Sequence, residues 1–124
     1  ITGNKKLIDV PIPERWAVLK INGPLFFAAA DRVFGEISAS MKDLDGVILY
    51  MDGVTLLDAG GVAALNKLVS YCASVDKQVI IADLQFQPLK TLARANVKPV
   101  PGVTQFYPTL NEAIHHFSSK GYMS

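Results

Sequence analysis

Hydrophobic residues along the chain alternate between short unbroken runs and repeats at helical spacing. The runs at 17–22, 47–51, 79–82 and 104–107 predict strands, and the two central ones are typical of strands covered on both faces. The repeats between and after them predict four helices, marked by Val33, Phe34, Ile37 and Met41; by Val62, Leu65, Leu68, Val69 and Cys72; by Leu89, Leu92 and Ala93; and by Leu110, Ala113, Ile114 and Phe117. This alternation predicts an α/β fold, a mostly parallel sheet of about five strands with four helices packed on it.

Turn and capping residues mark the ends of these elements. Gly23-Pro24 ends the first main strand, and the first helix is predicted to begin near Ala28. Pro88 suits a place near the first position of the third helix. Thr109 and Glu112 form a capping box before the last helix. Residues 7–12 are predicted to add an edge strand, where prolines are tolerated.

Composition and charge predict one compact domain over residues 1–124. Of its residues, 50% are hydrophobic and 19% are charged, with a net charge of +1. The longest wholly apolar run, 24–30, is far shorter than the ~20 residues of a membrane span. Near-neutrality and the lack of interleaved aromatics argue against nucleic acid as a partner. Because the chain starts at Ile1 and opens with polar residues, we interpret it as a fragment of a longer protein.

The stretch Asp58-Ala59-Gly60-Gly61 stands between a predicted strand and the second helix. Asp58 is placed to cap that helix, and the two glycines would expose the backbone amides that follow. Such a helix terminus can attract a phosphate or carboxylate. A tight turn that binds nothing explains the stretch equally well, because a lone Gly-Gly lacks the further residues of a dinucleotide or P-loop motif.

Two sets of residues are candidates for contact with a partner. Phe26 and Phe27 lie at the entrance to the first helix, where one should pack inward and the other can reach the surface. Lys90, Arg94 and Lys98 recur every four residues, with no acidic residue between 84 and 102. Core packing and a solvated helix face are the ordinary explanations. A partner surface for an acidic protein such as acyl carrier protein, or for lipid headgroups, is the alternative.

Catalytic chemistry has little support in the sequence. His115 and His116, near the end of the last helix, are interpreted as exposed structural histidines. Cys72 is expected to pack in the core. Tyr50 and Asp52 lie near strand ends, but no nucleophile, base and orienting group occur together. We therefore expect no enzyme activity, no catalytic residue, no cofactor and no metal site.

Three stretches resemble those of a known family, the STAS domains. They are 23–31 (Gly-Pro-Leu-Phe-Phe-Ala-Ala-Ala-Asp), the strand, loop and helix over 52–65, and the strand 79–83 followed by Pro88-Leu89 and Leu92. STAS domains occur in anti-sigma-factor antagonists and in the cytoplasmic tails of sulfate-permease-type (SulP) anion transporters. The first stretch is similar to the transporter branch, and the short turn at 41–46 resembles bacterial members.

The resemblance implies a function at the second helix. The antagonists read Asp-Ser-Ser-Gly-Leu in this signature loop, and their phosphorylated second serine corresponds to Gly60. The resemblance thus implies a non-catalytic regulatory domain at the carboxy terminus of a bacterial anion transporter, on the cytoplasmic side of the inner membrane. Its implied partners are the membrane domain of the same transporter, other copies of itself and cytosolic proteins. A free-standing antagonist-like protein without the serine, and a small nucleotide-binding enzyme or phosphocarrier, remain alternatives.

Overall fold

Strands and helices alternate along the chain as the hydrophobic pattern predicts. The computed structural model describes residues 2–3 and 12–119. The elements are β1 (Thr2–Gly3), β2 (Trp16–Asn22), α1 (Phe27–Ser40), β3 (Gly46–Gly53), α2 (Ala59–Ser74), β4 (Gln78–Ala82), α3 (Phe86–Arg94), β5 (Thr104–Tyr107) and α4 (Leu110–Ser119). A short 3-10 turn, Met41–Asp43, follows α1.

The five strands form one sheet in the order β1-β2-β3-β4-β5. The strands β2 to β5 are parallel, and β1 pairs antiparallel with β2. This arrangement confirms the predicted fold class. The edge strand predicted at 7–12 lies outside the described residues, apart from Ile12. The pairing of Thr2 with Lys20 was not predicted.

The sheet is covered on both faces because its central strands alternate their side chains. Leu19, Leu49 and Ile81 are in register and pack with α1, α2 and Leu92 of α3. Val18 and Ile48 point to the other face, where α4 packs with Phe117 against them. Continuous apolar strands therefore serve two cores at once, which is the physical reason for their unbroken runs. In the part of the chain that the structure describes, no helix has the length and apolar character of a membrane span.

The third helix differs from its prediction in start and in orientation. It begins at Phe86 with Gln85 as its N-cap, so Pro88 is its third residue. Of its apolar residues, Pro88 and Leu92 are buried, and they are four residues apart on one face. Leu89 and Ala93, expected on the inner face, are exposed. A short helix offers too few turns for spacing alone to identify its buried side.

Candidate functional site

The signature loop, taken here as residues 54–61 so that it includes Asp58 to Gly61, leaves β3 at the carboxyl edge of the sheet and is joined there to the start of α1. The Gly23 amide donates to the Gly53 carbonyl over 2.8 Å, and the Leu25 amide donates to the Leu56 carbonyl over 2.8 Å. Leu25 and Leu57 also form an isolated parallel bridge. The β2–α1 junction and the signature loop are therefore held side by side.

Asp58 caps α2, as predicted. Its backbone is extended, at φ −101° and ψ −179°, and its carboxylate accepts a hydrogen bond of 2.7 Å from the Gly61 amide. The Asp58 carbonyl accepts from the Val62 amide over 3.0 Å, which is the first bond of the helix. A side-chain cap of this kind typically contributes ~1 kcal/mol to stability.

The two glycines permit close packing at the start of α2. A Cβ at Gly60 would lie 2.5 Å from the Cβ of Phe27, and a Cβ at Gly61 would lie 2.6 Å from the Leu25 carbonyl oxygen. Gly61 is buried, and its amide already donates to Asp58. The expectation that both glycines leave their amides uncovered is therefore wrong at Gly61. The anion-binding interpretation loses one of its donors.

Two glutamines at the start of α3, the N-cap Gln85 and Gln87, bond to the end of β3 and to the signature loop, and neither was predicted from the sequence. The Leu57 amide donates to Oε1 of Gln87 over 2.9 Å, and Nε2 of Gln87 donates back to the Leu57 carbonyl over 3.2 Å. Nε2 of Gln85 donates to the Asp52 carbonyl. Gln87 thus replaces a neighbouring strand for one residue of the loop. A polar side chain that satisfies a backbone 30 residues away leaves no periodic signal.

Large apolar side chains are exposed around this edge. Phe27 is 63% exposed and Phe26 is about half exposed, so the expectation that one of them packs inward is wrong, as is the alternative that both belong to the core. The inward position is taken by Leu25, which is buried. Leu56 of the signature loop and Phe86 of α3 are exposed as well, and the sequence prediction did not include them.

The predicted row of basic residues, Lys90, Arg94 and Lys98, is broken after Arg94. The helix ends there, and the next turn contains Asn96 in the left-handed region at φ +58°, with the Val97 amide bonded to the Leu92 carbonyl over 3.0 Å. Lys98 follows that turn and lines a cavity of about 200 Å³ beside β5. Lys90 and Arg94 therefore share a helix, whereas Lys98 does not continue their row. Lys90 also lies over the Phe86 ring, with 5.5 Å between its Nζ and the ring centroid.

A polar cluster occupies the same edge on the face that α4 covers. The Tyr50 hydroxyl donates to Asp52 over 3.0 Å, and Nζ of Lys20 lies 3.4 Å from the other Asp52 oxygen. Burial, the bond to Asp52 and the negative charges of Asp52 and Asp83 together raise the pKa of Tyr50. A tyrosine that keeps its proton is a poor base. Within the described residues, no three His, Cys, Asp or Glu side chains are grouped to hold a metal ion.

The two histidines have different environments. His115 is exposed, but His116 is buried, and its Nδ1 lies 2.8 Å from the Tyr107 hydroxyl. The expectation of two exposed histidines is thus wrong for His116. The reason is helical geometry, since Ala113, His116 and Phe117 have the i, i+3, i+4 spacing of one buried face. Burial also raises the pKa of Tyr107.

The model of the STAS domain family matches residues 8–113. The chain belongs to the STAS domain family. Comparison with curated proteins gives no match.

Solved structures from both branches of the family share this fold. A sulfate transporter family protein from Wolinella succinogenes superposes with a TM-score of 0.75 at 20% identity, covering 91% of this chain and 93% of that one. The STAS domain of a SulP transporter from Vibrio cholerae gives 0.70 at 23% identity, with coverage of 92% and 89%. The anti-sigma factor antagonist SpoIIAA, in its unphosphorylated form, gives 0.61 at 16% identity, with coverage of 88% and 94%. At these identities the similarity concerns the fold.

Proposed function

We propose that this chain is the cytoplasmic STAS domain of a bacterial SulP-type anion transporter, and that it acts by contact rather than by catalysis. Its contacts would be with the membrane domain of the same transporter, on the cytoplasmic side of the inner membrane. A second copy of the domain, or an acidic cytosolic protein such as acyl carrier protein, is the alternative partner for the exposed side chains at the carboxyl edge of the sheet.

The observation that carries this proposal is the packing of Gly60 against Phe27. The phosphorylation switch of the antagonists needs a serine at this position, and a Cβ here would lie 2.5 Å from the Cβ of Phe27. Because both atoms are fixed by helix backbones, a serine would require α1 and α2 to move apart. The close packing of α1 and α2 therefore leaves no room for the side chain of a serine at position 60. Such a loop suits a permanent contact better than a switch.

Hydrogen bonds from three directions hold the signature loop in one arrangement, as a preformed contact surface requires. Its signature loop is bonded to the β2–α1 junction through Leu56, to α3 through Leu57 and to α2 through Asp58. A surface that is ordered before binding loses less conformational entropy when it meets its partner. The exposed Phe26 and Phe27 provide apolar anchors beside this loop.

Cell fractionation tests the proposal directly. Antibodies raised against the chain should detect a protein several times larger than 13.4 kDa. That protein should stay in the membrane fraction after washing with alkaline carbonate, which removes peripheral proteins. A band near 13.4 kDa in the soluble fraction would instead support the free-standing antagonist. A known peripheral membrane protein, followed in the same fractions, controls for incomplete washing.

A further inference from the structure

The exposed face of α3 combines apolar and basic side chains. Phe86, Leu89, Lys90 and Ala93 have the i, i+3, i+4, i+7 spacing of one helix face, and all four are exposed. Phe86 is 77% exposed and Leu89 is 52% exposed. Arg94 borders the same face one turn after Lys90. A helix with such a face has its apolar side chains outside the core of its own domain.

Along α3 and the segment that follows it, the charged side chains are all basic. No acidic residue occurs from 84 to 111, whereas Lys90, Arg94 and Lys98 are all exposed. This local excess contrasts with the net charge of +1 for the whole chain. Of the carboxylates near the same edge, Asp52 pairs with Lys20, whereas Asp58 and Asp83 accept hydrogen bonds from the Gly61 and Leu110 amides at the starts of α2 and α4. The ligand of this face should therefore be anionic.

The start of α3 adjoins two other segments that have exposed apolar side chains. Gln87 bonds to Leu57, and Leu25 bonds to Leu56, so the start of α3, the signature loop and the start of α1 are neighbours. Each contributes exposed apolar side chains, from Phe86, Leu56 and Phe27 respectively. We call the exposed residues Phe27, Leu56, Phe86, Leu89, Lys90 and Arg94 the α3 edge.

We propose that the α3 edge docks on the surface of an anionic lipid bilayer. Aromatic and aliphatic side chains beside lysine and arginine are the combination by which interfacial helices insert into the headgroup region. The charged side chains of the α3 edge only donate hydrogen bonds, and the phosphates of anionic lipids only accept them. A fluid bilayer also needs no matching pocket for Phe86 and Phe27. An acidic protein is the competing partner, and the experiments below distinguish the two.

Vesicle binding tests the lipid surface with the 124-residue chain. The chain should sediment with vesicles of phosphatidylglycerol and phosphatidylethanolamine but not with vesicles of phosphatidylcholine. Raising the salt concentration should weaken the binding, because screening shortens the reach of the basic side chains. Lys90→Gln/Arg94→Gln should lower the affinity about 25-fold, since each basic residue near an anionic surface contributes about fivefold. Phe86→Ser/Leu89→Ser should lower it at least ~10-fold through lost apolar burial.

Matched variants elsewhere on the domain provide the controls. Lys42→Gln/Lys67→Gln removes two exposed positive charges, and Val75→Ser removes an exposed apolar side chain, all of them outside the α3 edge. These variants should retain binding within about twofold, because electrostatic attraction fades within a Debye length of the surface. Equal loss in control and α3-edge variants would show adsorption by net charge alone and would overturn the proposal.

Fluorescence measures whether Phe86 enters the bilayer. Trp16 is buried against Phe117, so it gives a constant background. In a Phe86→Trp variant, lipids brominated on their acyl chains should quench the added fluorescence. Absence of binding to anionic vesicles, or binding without quenching, would overturn the proposal and favour an acidic protein partner. Vesicle binding does not depend on the transporter assignment, which fractionation tests separately.

Discussion

At the scale of single residues, two glycines in helices show how context reverses the effect of one residue type. Gly35 lies within α1, beside a groove of about 290 Å³ between α1 and α2, and an added Cβ there would meet nothing within 4 Å. Gly60 lies in the first turn of α2 against Phe27. Neither glycine has a positive φ, so backbone conformation does not separate them. Only the contact with α1 does.

Alanine substitution at these two positions should therefore have opposite effects. Gly35→Ala should stabilise the domain by about 0.5–1 kcal/mol, because alanine costs less backbone entropy in a helix and has room for its methyl group. Gly60→Ala should destabilise it by about 1–3 kcal/mol through overpacking against Phe27. Urea unfolding of both variants gives the two free energies. A Gly60→Ala variant as stable as Gly35→Ala would contradict the close contact on which the proposed function rests.

The cap at Asp58 gives a second prediction at this scale. Asp58→Ala should lower the free energy of unfolding by ~1 kcal/mol, because the Gly61 amide loses its acceptor. Asp58→Asn is the matched control, since its side-chain oxygen can accept the same bond, and it should retain most of the stability. Thermal unfolding followed by circular dichroism measures both. Equal losses in the two variants would assign the effect to charge rather than to capping.

At the scale of elements, predictability follows the length and burial of each element. The long apolar repeats of α1 and α2 and the runs of β3 and β4 were predictable, because each satisfies one period over several buried positions. The helix α3 has nine residues and buries only Pro88 and Leu92, so the spacing of its apolar residues also fitted a different buried face, and that incorrect face was the one predicted. For the same reason Phe86, its most exposed apolar residue, was not recognised as part of the site.

The candidate site was predictable only where local chemistry defines it. An aspartate directly before a predicted helix is a capping signal that can be recognised from the sequence alone, and Asp58 was identified from it. The two hydrogen bonds between Gln87 and Leu57, which we call the Gln87 clamp, join residues that are distant along the chain, and so does the contact between Gly60 and Phe27. Their partners are set by tertiary packing, which a single sequence does not report. The burial of His116 was only partly predictable. Its helical spacing from Ala113 placed it on the buried face, but the preference for cations at helix carboxyl ends favoured an exposed histidine.

The clamp between α3 and the signature loop leads to a prediction at this scale. Gln87→Ala should remove both bonds to Leu57 and lower the free energy of unfolding by about 1–3 kcal/mol. Hydrogen exchange at the Leu57 amide should accelerate more than exchange within β4. Gln87→Glu separates the two bonds, because it keeps an acceptor for the Leu57 amide and replaces the donor to the Leu57 carbonyl by a charged acceptor. Unchanged exchange at Leu57 in Gln87→Ala would show that the loop is held without the clamp.

At the scale of the whole molecule, the Cys72 thiol can be used to measure opening of the larger core, in which α1 and α2 pack on the sheet. Cys72 is fully buried in α2, and its Sγ lies 3.4 Å from the Met41 sulfur at the end of α1. Burial raises the pKa of this thiol from its ordinary value of 9.0 to about 11. A reagent can therefore reach the thiol only when the packing around it opens. Its chemistry is therefore linked to opening of the fold rather than to any reaction at the signature loop.

Alkylation and alkaline unfolding should both follow this linkage. The folded state keeps the Cys72 proton at pH values where the unfolded chain has lost it, so this thiol stabilises the fold fully below pH 9. Its contribution should be lost progressively as the pH rises from 9 towards about 11. Tyr50 and Tyr107, whose pKa values are also raised, add losses of the same sign at high pH. The difference between wild type and Cys72→Ala isolates the thiol, because the tyrosines and lysines titrate alike in both.

At pH 8, iodoacetamide should label Cys72 only as fast as the domain opens, so Gly60→Ala should accelerate labelling and Gly35→Ala should slow it. Equal labelling rates in wild type and both glycine variants would mean that Cys72 is reached by a local opening that leaves the contact between α1 and α2 intact.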